Sequence, residues 1–447
     1  MKNQPKIEVG IIACEELQFA LSGQFSSKNS EFSGTFKAVV KNGQVVLSKN
    51  SKETEITNEF IFQPTNNDSF FELNNVIIGV NFHWEQKENQ QFKGSLKLIP
   101  EHEKVRAINI IDLEEYLKSV ISSEMSATSS PDLLKAHAVI SRSWLLAQIE
   151  KTKSLQAGGA LYQTSHETED EIVRWYDRED HHNFDVCADD HCQRYQGITK
   201  IHSEKALKAV EDTSGEVLVY DDKICDARFS KCCGGIAESF ENVWEPVTHP
   251  YLTKVVDNKK SPRNFNLNLG DESNAEKWIR NNPPAFCNTS DKKVLSQVLP
   301  DFDQTTTDFY RWKVGYTQKE ISELIKKRSG IDFGKIIKLE PVKRGVSGRL
   351  IKLKIRGTKK TLTVGKELEI RKWLSESHLY SAAFVVDHLD VEEGIPQKIV
   401  LSGAGWGHGV GLCQIGAAVM GGQGYSYKKI LNHYFRSAKI KKLYQDG

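Results

Sequence analysis

The spacing of apolar residues changes period at Asp112, and that change does most to limit the folds open to the chain. Before it, short apolar stretches alternate with turn residues. Ile7 to Ala13 reads as a first strand. Gly34 to Ser48 holds two apolar stretches split by Asn42-Gly43, a pair that tolerates the positive φ values of a two-residue hairpin turn. Phe70 to Trp84, Phe92 to Ile99 and Ala107 to Ile111 continue the strand pattern. After Asp112, a good N-cap, Leu113, Tyr116, Leu117, Val120 and Ile121 recur at helical spacing. Ser126 to Ser130 breaks the pattern. Ser130-Pro131 restarts it, with serine as cap and proline at the first helical position, and the second helix runs to about Ala147.

Residues 150 to 200 are polar and irregular. Ser203 to Val210 predicts a helix, and Glu216 to Tyr220 with Ile224 to Phe229 predicts a hairpin turning at Asp221-Asp222. Ile336 to Val342, Leu350 to Ile355 and Thr361 to Val364 read as strands, with a short helix around Arg371 and a last helix at Tyr427 to Tyr434. Strands and helices mix without regular βαβ alternation, which argues for an α+β fold rather than a doubly wound sheet.

A chain of 447 residues exceeds one simple core and fits two or three packed units. The net charge of +1 lacks the basic excess of a nucleic-acid binder. No apolar run approaches the roughly 20 residues that cross a bilayer. Ile11-Ile12-Ala13-Cys14 has the look of a lipoprotein cleavage box, but the apolar segment before it is too short and contains Glu8. An export signal is therefore not expected within these residues. The eight cysteines are too sparse for a disulfide framework.

Four groups of residues could carry chemistry. Glu124 lies four residues after Val120, on the apolar stripe at the end of its helix. A carboxylate there needs a partner or a raised pKa, and a raised pKa suits a general acid. The plainer alternative is a surface glutamate where the helix frays. Lys135 and Arg142 lie seven residues apart on one face of the next helix, either as supports for a substrate beside Glu124 or as two solvated charges. His137 faces elsewhere and reads as a packed or surface histidine.

His181, Cys187, His191 and Cys192 combine soft thiolates with imidazoles, the donors zinc prefers; the other readings are a disulfide between the two cysteines or no joint role. Four protein ligands would make such a site structural; three plus water would open a hydrolytic role. Cys232-Cys233-Gly234-Gly235 predicts a tight turn that lets a ligand or another backbone come close. The run Gly403 to Gly411 is glycine-rich but lacks the Gly-Lys-Ser/Thr of a phosphate loop. Within it, Trp406 offers a flat face for a sugar ring and His408 a polar tip, or else the loop simply packs Trp406 into a core.

These pieces occur in a recognisable order. Tyr116 to Met125, then Leu134 to Val139 and Ser141 to Trp144, resemble the YLxGVVxxEM…LKAQAVAARTY motif of the SpoIID/LytB (stage II sporulation protein D/amidase enhancer) family. Cys187 to Gly197 looks like the family's metal-binding segment. Phe229 to Trp244 is similar to its F-H-S-x-x-G-G-x-T-E stretch, and Val346 to Arg349 with Arg371 match a later strand region. Gly405 to Ala417 resembles the closing G-x-G-H-G-V-G-M-S-Q-Y-G-A. The resemblance runs from about residue 75 to 440.

It implies a β-rich region at 1–74, a first part of the family domain with a zinc segment at 75–256, a polar insertion at 257–308 and a second part at 309–447. The helical pair after Asp112 would carry the catalytic glutamate. The implied activity is that of a lytic transglycosylase cutting denuded peptidoglycan strands, with Glu124 as acid/base and Lys135 and Arg142 in support. Trp406, His408, Gln414 and Ser230 would contact substrate. His181, Cys187, His191 and Cys192 would hold a structural zinc. The implied place is the cell envelope or periplasm.

This sequence departs from the family pattern at His137, where glutamine is usual, at Ser230 to Cys233, and at Cys413, where serine is usual. Two other readings stand beside the enzyme. One is a non-enzymatic amidase enhancer that binds wall glycan or an N-acetylmuramoyl-L-alanine amidase. The other is a zinc hydrolase built on the Cys187/Cys192 site.

Overall fold

The structure, a computed structural model, describes residues 4–50, 52–78, 86–126, 128–158, 162–175, 181–189, 191–201, 203–298 and 307–444. It is α+β, as the mixed periodicity predicts.

The first hundred residues form most of an eleven-stranded sheet, in which Lys6–Cys14 pairs antiparallel with Lys104–Asp112, and that strand with Ser95–Glu101. Alternation drives it: in Glu16–Ser27 the residues Leu17, Phe19, Leu21 and Phe25 all point inward. Asn42-Gly43 turns the hairpin between Ser30–Lys41 and Gln44–Lys49, both residues at positive φ. Phe19, Phe36, Phe60 and Phe62 stack in the interior. Of the stretch Phe70 to Trp84, a strand covers Phe70–Ile78, and residues 79–85 lie outside the described residues.

Helices α1 (Leu113–Glu124) and α2 (Pro131–Gln156) follow. The Ser130 hydroxyl accepts the Leu133 N–H at 3.3 Å, so the predicted cap is present. α2 continues nine residues past Ala147, because Glu150, Lys151 and Lys153 form a solvated face and Lys151 pairs with Glu245. Its inner face packs on α1, on α3 (Glu204–Asp212) and on the strand Glu216–Tyr220.

The predicted hairpin at Asp221-Asp222 is short. Glu216–Tyr220 pairs only with Lys223–Ile224, and Phe229–Ser230 leaves to run parallel with Leu412–Cys413. The segment 257–308, read as a polar insertion, contains α4 (Glu272–Arg280) and α5 (Lys292–Leu295). Its residues Leu269, Ala275, Trp278 and Ile279 form a small core with Ala383 and Val385.

Another core gathers α6 (Gln318–Ser329), α7 (Glu367–Trp373) and the strands Ile336–Arg344, Leu350–Gly357 and Thr361–Gly365. Strand Ile395–Ala404 leads into the glycine-rich loop, then α8 (Gln414–Gly422) and α9 (Tyr427–Tyr434). The last strand, Lys439–Lys442, returns to pair with Glu216–Tyr220. No helix among the described residues is long and apolar enough to cross a membrane.

Candidate functional site

Glu124 is the last residue of α1. Leu113, Tyr116, Leu117, Val120 and Ile121 bury the helix's inner stripe, and Glu124 emerges half-buried at its end. Its Oε1 accepts the backbone N–H of Arg194 at 3.2 Å. That amide is itself held firmly. On one side the Gln193 amide donates to the Ser141 carbonyl at 3.4 Å. On the other the Tyr195 hydroxyl donates to Asn109 at 2.6 Å, and the Gln196 N–H to the Ser119 hydroxyl at 3.2 Å. The partner that the stripe position demands is therefore a main-chain amide.

Immediately upstream of Arg194 stands the Cys/His cluster. The candidate ligand atoms of His181, Cys187, His191 and Cys192 all lie within 4.8 Å of one another. His181 Nε2 is 3.4 Å and His191 Nδ1 3.6 Å from Cys192 Sγ. A tetrahedral ion with bonds of roughly 2.0–2.3 Å needs its ligands about 3.3–3.8 Å apart, so this donor set fits such an ion. Val186–Cys187 is fixed by parallel pairing with Val9 and Gly10, and His181 stacks on Phe184. The hydrogen bond from Cys192, helped by His181 and His191, draws the Cys187 thiol toward thiolate despite burial.

The two cations of α2 are engaged elsewhere. Lys135 Nζ pairs with Asp212 of α3 at 2.8 Å. Arg142 is wholly buried: Nε and Nη2 donate to the two oxygens of Glu114 at 2.9 and 2.6 Å, and Nη1 to the Glu216 carbonyl at 2.9 Å. Glu114 also accepts the Gly215 N–H and the Tyr444 hydroxyl. The expectation that Arg142 supports Glu124 is therefore corrected. Its partner sits at the start of α1, about 15 Å along the axis from the helix's last residue at 1.5 Å per residue. A buried guanidinium also cannot touch a sugar. Lys135, bonded to α3, likewise makes no bond to Glu124.

Four other residues gather around the parallel pair Phe229–Ser230 and Leu412–Cys413. Trp406 is half-buried, its ring tilted against those of Tyr380 at 4.3 Å and Phe309 at 4.6 Å, and its backbone exchanges two hydrogen bonds with Cys232. His408 Nδ1 accepts the Val410 N–H at 3.0 Å, and its ring meets Trp244 edge-on. Burial, followed by the charges of Arg228, Arg349 and Arg371, holds the His408 pKa well below the usual histidine range. Ser230 is buried and its hydroxyl has no hydrogen-bond partner among the described residues. Gln414 is buried with its amide nitrogen 3.2 Å from His137 Nε2. Gln414 thus faces the core, and only Trp406 and His408 of the four reach the surface.

The loop has anchors that its sequence does not announce. Arg349 donates to the carbonyls of Gly407 and Cys233, and Glu238 accepts from the Val346 and Ser347 amides and the Ser347 hydroxyl. Gly409 has φ +76°, and a Cβ there would lie 2.3 Å from Arg349 Cζ, so this glycine is obligatory. Glu124 and the loop are joined through Gln297 and Val298. Gln297 accepts from the Ser126 amide and Ser129 hydroxyl just after Glu124, and the Val298 carbonyl accepts from Lys231 at 2.7 Å, next to Cys232. A signal for this strap was absent, because it depends on contacts 168 residues apart.

His137 is buried, with Ser141 at 3.3 Å, Gln414 at 3.2 Å and the Phe229 ring edge-on. Burial, then the charge of Lys231, lowers its pKa from 6.5 to about 3. Folded, it stays neutral between those values while the unfolded chain takes up a proton. Stability is therefore lost as pH falls below about 6.5, by up to about 1.4 kcal/mol per pH unit from this group. His137→Gln should keep the contact with Gln414 and remove that slope. Denaturant midpoints of both proteins from pH 7 to 4.5 check this, and parallel curves would refute it.

Comparison with known proteins agrees with this layout. The stage II sporulation protein family model matches residues 101–220, from the strand before α1 to the strand that anchors Arg142. A domain of unknown function (DUF8618) matches residues 238–411, which includes the glycine-rich loop. An uncharacterized protein of Brachyspira hyodysenteriae is 26% identical over 350 residues, 78% of this chain and 72% of its own. The amidase enhancer of Bacillus subtilis is 24% identical over 71% of this chain, which spans only 39% of that protein. Stage II sporulation protein D of Bacillus amyloliquefaciens is 24% identical over 75% of each chain. The segment 101–220 thus carries the stage II sporulation protein domain, and the chain around it is similar to proteins named stage II sporulation protein D and amidase enhancer.

Proposed function

We propose that the protein is a peptidoglycan lytic transglycosylase of the cell envelope, with Glu124 as its single acid/base. The observation that carries this reading is the carboxyl group itself. It is half-buried at a helix end, one oxygen is fixed by the Arg194 amide, and no second carboxylate shares its hydrogen bonds among the described residues. Hydrolytic glycosidases generally need two carboxylates. One suffices when the sugar supplies its own nucleophile. Protonated Glu124 gives its proton to the glycosidic oxygen, and the C1–O bond breaks. The C6 hydroxyl of the same sugar attacks C1, and Glu124 takes the hydroxyl proton. The product is a 1,6-anhydro ring, no water is consumed, and the acid is regenerated.

Within this reading Trp406 and His408 contact the glycan. Zinc is the ion that suits His181, Cys187, His191 and Cys192, and four protein donors leave no position for a water, which favours a structural role over a zinc hydrolase. What these residues do for the reaction is fix the chain that leads to Arg194. The likeness to an amidase enhancer, together with the engagement of Lys135 and Arg142 in internal ion pairs, favours as second reading a glycan- or amidase-binding protein without cleavage.

Digestion of denuded glycan in ¹⁸O-labelled water separates the readings. A lytic enzyme yields new ends lacking one water and free of label. Labelled reducing ends would establish a hydrolase. No cleavage, with retention of a purified amidase on the immobilised protein, would establish the binding role.

A further inference from the structure

Away from the first Cys/His cluster, three distant stretches of chain bring four more cysteines into one buried place. Cys232, Cys233, Cys287 and Cys413 are all buried, and none forms a disulfide. Cys233 Sγ lies 3.7 Å from Cys287 Sγ, and the Cys233 N–H donates to Cys413 Sγ at 3.2 Å. Asp257, with no exposure at all, accepts the Cys287 N–H at 2.9 Å on one oxygen and the Tyr434 hydroxyl at 2.6 Å on the other. The ligand atoms of Cys233, Asp257, Cys287 and Cys413 all lie within 4.8 Å of one another.

A carboxylate and three thiols in a closed core call for positive charge. The ion-pair partner of Asp257 among the described residues is His433, at 3.8 Å. We infer that Cys233, Asp257, Cys287 and Cys413 form a second metal site, and that it holds zinc. Soft thiolates with one hard oxygen are donors that zinc accepts. The edge of a tetrahedron with zinc–sulfur bonds of about 2.3 Å is about 3.8 Å, close to the sulfur separation of Cys233 and Cys287. An iron–sulfur cluster interposes several irons and sulfides between its cysteines, and four donors this close leave no volume for them. Main-chain amides and the Tyr434 hydroxyl donate to the ligand atoms, as the outer layer of a metal site does.

The site is structural, with four protein donors, all of them buried. It fastens the Cys232–Gly235 turn and the segment around Cys287 to the base of the glycine-rich loop at Cys413. It is independent of the reading of Glu124, since it concerns different residues and needs no substrate.

The test is a metal count on the purified full-length protein. Zinc should be two per chain, falling to one in Cys287→Ala/Cys413→Ala and to one in Cys187→Ala/Cys192→Ala. Should the first pair fail to fold, cobalt substitution of the wild-type protein gives the same information. The thiolate-to-cobalt absorption should correspond to five sulfur ligands per chain rather than two. One zinc per chain that vanishes with Cys187 and Cys192, a two-sulfur cobalt spectrum, or a disulfide among Cys233, Cys287 and Cys413 in a non-reducing digest would each overturn the assignment.

Discussion

Glu124→Gln is expected to slow cleavage of denuded glycan by about 10²–10⁴-fold, the range by which a positioned acid/base accelerates a reaction. Glutamine keeps an oxygen for the Arg194 amide, so the helix end and the loop after the Cys/His cluster should stay in place. What is lost is the proton that moves from carboxyl to glycosidic oxygen and the basic oxygen that later takes one back. The loss should fall on kcat with KM little changed, because the side chain's shape is preserved. Circular dichroism and the zinc count should match wild type. Full activity of the variant would remove Glu124 from the chemistry and leave the lytic reading without a catalyst.

Arg142→Ala should have the largest effect on stability, about 3–5 kcal/mol, because it leaves the buried Glu114 carboxylate without its counter-ion. The double variant Glu114→Gln/Arg142→Met should recover most of this. Glutamine still accepts from Gly215 and Tyr444, and methionine fills the space of the guanidinium stem. Denaturant titration of the three proteins measures it. A substrate-binding arginine would give the opposite pattern, with unchanged stability, raised KM and no rescue by the double variant.

The sequence made local features legible. Asn42-Gly43 specified its hairpin, Ser130-Pro131 its helix start, and Tyr427 to Tyr434 its helix, because each rests on contacts within a few residues. The Cys187 to Cys192 segment could be read the same way, since those donors are neighbours in the chain. Arg142 could not. Its role depends on Glu114, 28 residues upstream, and on Tyr444, which joins Glu114 across 330 residues. The Cys233, Cys287 and Cys413 gathering was hidden for the same reason, although the departures from the family pattern at Cys233 and Cys413 were visible singly. Helix α6 had a readable start: Thr317 and Glu320 form a reciprocal capping box, and Gly330 closes it at φ +75°. The signal was present but its apolar stripe, Ile321, Leu324 and Ile325, is too narrow to stand out among lysines.

The return of the last strand to Glu216–Tyr220, with Tyr444 reaching Glu114, has a consequence for how the molecule is made. A ribosome releases the segment 101–220 long before the residues that finish its sheet and satisfy its interior carboxylate. That segment, expressed by itself, should behave as an unfinished domain, prone to proteolysis and self-association. Trimming as few as nine residues from the far end, Lys439 onward, should loosen the α1–α2 pair that carries Glu124.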